Sequence, residues 1–109
     1  MKVDEYLHDS GPSIYYDPMF RATLEAHLEY LKNHPDTTTI TLDPMIVYRY
    51  EFDMDGLMNH YRIPHYMHWI TLRLNDLHST TMFPEDLDQL KIPSNKTLNI
   101  IRQIYQTQR

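Results

Sequence analysis

The chain has 109 residues, with ten Lys or Arg against fifteen Asp or Glu and a formal net charge of −5, so it carries no electrostatic drive toward phosphate backbones or anionic lipid. Hydrophobic residues at 41%, charged residues at 23% and a mean hydropathy of −0.59 fit a globular domain, and no apolar run nears the ~18 residues of a spanning helix. The absence of cysteine removes disulfides, thiolate ligands and cysteine nucleophiles, and suits a reducing compartment.

A chain of this size is expected to form one small domain over residues 17–109, burying roughly two-thirds of the surface its unfolded form exposes. The start, "MKVDEYLHDSG", has neither the basic region nor the apolar segment of a secretory signal. Residues 1–16 have no sustained periodicity but include Tyr6, Leu7, Ile14, Tyr15 and Tyr16. They read as an extended arm that lies on something, with Tyr6, Tyr15 and Tyr16 as candidate partner contacts.

Next, Asp17 can cap a helix and Pro18 suits its first position, while Pro35 stops it, so a helix is expected from Pro18 to Asn33. Phe20, Leu24, Leu28 and Leu31, joined by His27, form its apolar stripe. "TTTITLDP" alternates and is rich in β-branched residues, predicting a strand over Thr37–Leu42 that Pro44 ends or bends. "MIVYRYEF" reads as a second strand, with Ile46, Tyr48 and Tyr50 on one face and Val47 and Arg49 on the other. Asp53 then caps a helix from Met54 to about Tyr61, with Leu57, Met58 and Tyr61 inward.

Pro64 parts this helix from another over His65–Leu74, because proline lacks an amide donor and disfavours helical geometry at the residue before it. Trp69, Leu72 and Tyr66 share one side of that helix. If Trp69 is the buried centre of the pair, its truncation to alanine should cost ~3–5 kcal/mol. Asn75 stands where a left-handed capping residue is expected. A polar loop follows, then a short strand Leu90–Ile92 closed by Pro93. A last helix over about 95–106 carries Leu98, Ile101, Ile104 and Tyr105, the last a further candidate contact.

His60, His65 and His68 fall within nine residues of one another, beside the single tryptophan. His65 and His68 at i and i+3 can share one side of a helix, and His60 could be a third ligand. However, His60 lies before the proline turn, no glutamate stands between the histidines as in the zinc-protease motif, and no carboxylate occurs between Asp55 and Asp76. The expectation is therefore packing rather than chemistry, with His65 and His68 in a first helical turn and partly facing solvent. Glu85, Asp86 and Asp88 lack the spacing and central glycine of an EF-hand loop. No glycine-rich phosphate loop or nucleophile elbow is present. No catalytic residue, metal ligand or cofactor is assigned, leaving a non-enzyme whose structural core centres on Leu57, Trp69, Leu72, Asn75 and Ile92.

The order strand, helix, turn, helix, loop, strand over about 46–93, with Asp53 at the helix entry, Asn75 after the second helix and a closing "LKIP", resembles a LysM module. That resemblance implies an α+β fold with a β-α-α-β core, flanked here by an N-terminal helix and a C-terminal helix, and binding to N-acetylglucosamine-containing glycans such as peptidoglycan. Phe52, Met54, Leu87 and Asp88 depart from the residues that usually form its glycan loops. His68, Trp69, Ile70, Leu72, Asn75 and Asp76, together with "YRYEFDMDGLMNHYRIP", are also similar to baseplate wedge proteins of contractile-tailed bacteriophages that carry a LysM-like domain. This second resemblance implies a non-enzymatic virion subunit of the tail or baseplate, joining neighbouring proteins in multiple symmetric copies. Nine tyrosines and seven methionines against two glycines agree independently, because tyrosine and methionine are enriched where protein surfaces bury one another. A glycan-binding LysM domain and a histidine-dependent metalloprotein are the alternative expectations.

Overall fold

The computed structural model describes residues 13–77, 79 and 87–107, so Tyr6, Glu85 and Asp86 lie outside the described residues. These residues form six α-helices and one two-stranded antiparallel sheet, an α+β arrangement. Among them, no helix is long and apolar enough to cross a membrane.

After a 3-10 turn at Ser13–Tyr16, α1 (Pro18–Ala26) starts where the Asp17 carboxylate accepts the Met19 amide at 3.1 Å and Pro18 fills the first position. The single helix expected over 18–33 is two segments. His27, at φ −108° and ψ 17°, interrupts it before α2 (Leu28–Asn33), and its ring lies 2.8 Å from the Thr23 carbonyl, accepting the Nδ1–H. Strand β1 (Thr38–Thr41) pairs with β2 (Gln89–Ile92), setting Thr38 opposite Ile92 and Ile40 opposite Leu90.

The strand expected at "MIVYRYEF" is instead mostly a helix, α3 (Pro44–Arg49). Its cause is local and repeats the start of α1: the Asp43 carboxylate accepts the Met45 amide at 2.9 Å, and Pro44 supplies the preset first turn. Val47 is buried and Ile46 and Tyr50 are half-buried, whereas Met45, Tyr48 and Arg49 are exposed. This is a helical division of faces, and it places Tyr48 outside rather than beside Ile46. Between the two strands the described residues therefore form three α-helices, where a strand-helix-helix-strand unit over 46–93 was expected.

Helix α4 (Met54–His60) is capped by Asp53, whose carboxylate accepts the Gly56 amide at 2.9 Å. A Cβ at Gly56 would collide with that carboxylate and approach Tyr50 Cδ1 to 2.7 Å, so any larger residue there would displace the capping side chain or the Tyr50 ring. The helix ends with Arg62 at φ 65°, its amide bonded to the Asn59 carbonyl and the Ile63 amide to the Met58 carbonyl. A 3-10 turn, His65–Met67, leads into α5 (His68–Leu74), dividing the helix expected from His65. Its end has the same design, with the Asp76 amide bonded to the Arg73 carbonyl and the Leu77 amide to the Leu72 carbonyl. These pairs of bonds define the Schellman cap. The left-handed residue is Asp76, at φ 62°, not Asn75, at φ −104°.

Asn75 has a different role. Its amide donates to the Thr71 carbonyl at 2.6 Å and the Lys91 carbonyl at 2.9 Å, while its Oδ1 accepts the Lys91 amide at 2.8 Å. One side chain thus completes the hydrogen bonding of β2 on the side away from β1. Helix α6 (Asn95–Thr107) buries Leu98 and Ile101, and the core is completed by Phe20, Leu24, Leu31, Met54, Leu57, Met58, Ile70, Leu74 and Leu90.

Candidate functional site

The proline-broken turn places polar groups where the packing is otherwise apolar. Asp53 sets the start of α4 so that Asp55 falls in its first turn, and Pro64 redirects the chain so that His65 and His68 return toward it. His68 is only 3% exposed, which corrects the expectation of a partly solvated ring. Its Nε2–H donates to the Ile63 carbonyl at 2.9 Å, and its Nδ1 lies 2.8 Å from Asp55 Oδ1. A carbonyl oxygen can only accept, so Nε2 carries a hydrogen. The Asp55 carboxylate and the Ile63 carbonyl thus hold the ring from both sides at the edge of the core.

His65 is exposed, and its Nδ1 lies 2.9 Å from the Tyr16 hydroxyl. The two rings stack with centroids 6.1 Å apart, and the His65 and His68 ring centroids are 4.9 Å apart. Burial raises the Tyr16 hydroxyl above its ordinary pKa against the opposing effect of Arg21, so the phenol keeps its proton and can donate or accept at His65. The Arg21 guanidinium lies 5.1 Å from the Trp69 ring centroid and 5.6 Å from that of Tyr16, and its Nε donates to the Tyr15 carbonyl at 2.9 Å. These groups border an open pocket of about 230 Å3. One ligand-capable atom from each of Asp55, His65 and His68 lies within 4.8 Å of the others. His60 is exposed, against the rings of Tyr50 and Tyr61, and is not part of this group. Asp55 escaped the sequence reading because it precedes the histidines by a helix and a turn; its first-turn position after a capping aspartate was the available signal.

The other named residues take different places. Leu57 and Leu72 are buried, and Ile92 and Trp69 are half-buried against the core. Trp69 is therefore at the rim of the α4 and α5 pairing rather than its centre, with one face covered by Arg21. Tyr15, expected to face a partner, is 2% exposed and packs edge-on to Phe20 and against Tyr66. Desolvation pushes its hydroxyl up to about 12, partly offset by Arg102, and the oxygen has no hydrogen-bond partner among the described residues. Tyr105 is half-buried, and its hydroxyl donates to Asp17 Oδ2 at 3.2 Å, fastening α6 to the start of α1. Glu25 and Arg73 join α1 to α5 by a 2.9 Å ion pair, and that hydrogen bond raises the Arg73 pKa further.

A second surface stands out by its exposure. Met45 is 70% exposed, Tyr48 72% and Phe52 62%, at spacings of three and four along α3 and the turn after it. Phe52 holds φ 61°, a backbone region that bulky residues avoid. No family model, curated protein or solved structure matches the chain.

Proposed function

We propose that this chain is a non-enzymatic structural subunit of a phage tail or baseplate, joining neighbouring virion proteins through the apolar face of α3. The observation that supports this reading is that Met45 and Tyr48 stand exposed on α3, with Phe52 also exposed in the turn after it. Methionine and tyrosine are the residue types enriched in protein interfaces, and Phe52 is held outward in a strained conformation, which costs ~1–2 kcal/mol. The virion setting rests on the sequence resemblance of "YRYEFDMDGLMNHYRIP" and of His68, Trp69, Ile70, Leu72, Asn75 and Asp76 to baseplate wedge proteins. Localisation would accordingly be the virion, after assembly in the host cytoplasm. The glycan-binding alternative has less support, since Phe52, Met54, Leu87 and Asp88 depart from the residues that usually form the glycan loops of a LysM module.

The test is co-expression with the products of adjacent genes, followed by native mass spectrometry. A defined complex that is lost in a Met45→Ser, Tyr48→Ser, Phe52→Ser variant with unchanged thermal unfolding supports the proposal. Retention on peptidoglycan, with no complex among the adjacent products, would overturn it in favour of the glycan-binding module.

A further inference from the structure

We propose that Asp55, His65 and His68 bind one divalent transition-metal ion of the zinc class, clipping α4 to the turn and helix that follow Pro64. Two imidazoles and a carboxylate are a ligand set that zinc, cobalt and iron accept, and one ligand atom from each already lies within 4.8 Å of the others. Bond lengths of ~2.1 Å separate neighbouring ligand atoms by roughly 3.0–3.5 Å, so the side chains need move only slightly to enclose an ion.

His68 supports the assignment most directly. A metal-bound imidazole usually donates its other N–H to a carbonyl or carboxylate, which fixes the tautomer and aims the lone pair. That outer bond exists here, from Nε2–H to the Ile63 carbonyl at 2.9 Å, and it leaves Nδ1 as the ligand atom, facing Asp55 Oδ1 at 2.8 Å. An ion between these two atoms would take over both the ring nitrogen and the carboxylate oxygen. His65 is steadied by Tyr16, whose hydroxyl suits either ring tautomer.

Three protein ligands leave a coordination position open, and the adjoining pocket gives it room. Arg21 borders that pocket but is held over Trp69 and bonded to the Tyr15 carbonyl, so its charge favours an anionic fourth ligand rather than expelling the ion. This site is independent of the α3 face and holds whether or not that face docks a virion protein.

The experiment is titration of the full chain with cobalt(II) and zinc(II), following cobalt absorption and binding heat. The expected result is one ion per chain and visible absorption of low-symmetry cobalt with nitrogen ligands. Asp55→Asn and His65→Ala, the second on an exposed residue, should each weaken binding by at least ~10–100-fold. His60→Ala should leave it unchanged. No binding, or binding that survives both ligand variants, would overturn the proposal, as would a loss of binding in His60→Ala. Thermal unfolding of each apo variant confirms that a loss of binding is not a loss of fold.

Discussion

The α3 face and the Asp55 and His68 pair depart from ordinary burial in opposite directions. On α3 and in the turn after it, Met45, Tyr48 and Phe52 are largely exposed although all three are large and apolar. Between α4 and α5, an imidazole lies inside although leucine would pack there without any need for partners. Exposing apolar surface forgoes stabilisation of roughly 1.5–3 kcal/mol per large side chain, whereas burying His68 commits Asp55 and the Ile63 carbonyl to satisfying it. The contrast separates two kinds of residue. The α3 row can be changed without harm to the fold, while His68 is tied to the fold and to any chemistry at the pocket.

The largest effect should follow from His68→Ala. It opens a cavity and leaves the buried Ile63 carbonyl without its donor, so chemical denaturation should report a loss of ~2–4 kcal/mol. Its exposed neighbour His65 is the control, and His65→Ala should stay within ~0.5 kcal/mol. Equal losses at the two positions would mean that His68 is not the buried member of the pair.

Much of this arrangement was legible beforehand, and the parts that were not share physical causes. The tripeptide Asp-Pro-Met occurs twice, at 17–19 and 43–45, and caps a helix both times. At the first site an amphipathic stripe followed, so the helix was read. At the second, Ile46 and Val47 suggested a strand by propensity, and the capping signal prevailed. The helix end after Leu74 was foreseen, but with two glycines in the chain the left-handed positions fall to Arg62 and Asp76, while Asn75 serves β2. Tyr15 looked like an interface residue by composition and is a core residue by position. Contacts between residues thirteen apart, such as His68 with Asp55, have no periodic signature, which is why the candidate site was the least visible feature.

Trp69 sharpens the same contrast at smaller magnitude. A fully buried tryptophan would cost ~3–5 kcal/mol on truncation, but at the half-buried rim Trp69→Ala should cost about 2 kcal/mol. Part of that loss should come from Arg21, whose cation-π contact contributes ~0.5–1 kcal/mol. Arg21→Ala alone should reproduce that part. A cost for Trp69 above that of His68 would reverse the ranking of the pocket's two walls.

Tyr15 is a buried polar group without the partners that His68 has. Its hydroxyl titrates near 12 in the folded chain against 10.0 when unfolded, because burial disfavours the phenolate. Below pH 10 both states are neutral, so the full stability is present. Between pH 10 and 12 the unfolded chain ionises first, and stability should fall by on the order of 2 kcal/mol. Tyr15→Phe should remove that alkaline loss and, by deleting an unpaired buried hydroxyl, leave stability at neutral pH equal or up to ~1 kcal/mol higher. A large destabilisation by Tyr15→Phe would reveal a hydrogen bond to that oxygen and weaken the contrast with His68.

The smallest effect on stability is expected where the proposed function lies. Tyr48 is 72% exposed on the outer side of α3, so Tyr48→Ser removes little buried area and should change stability by no more than ~0.5 kcal/mol. In an assembled complex the same side chain would be an anchor, and truncating an aromatic anchor typically weakens association by 2 kcal/mol or more, roughly 30-fold. The decisive quantity is the ratio of these two effects, measured on one variant by denaturation of the free chain and by titration of its assembly partner. A Tyr48→Ser chain that unfolds like the parent but binds equally well would remove α3 from the interface. One that loses stability as well would show that the row packs against the chain itself, and the two regions would then obey the same burial rule.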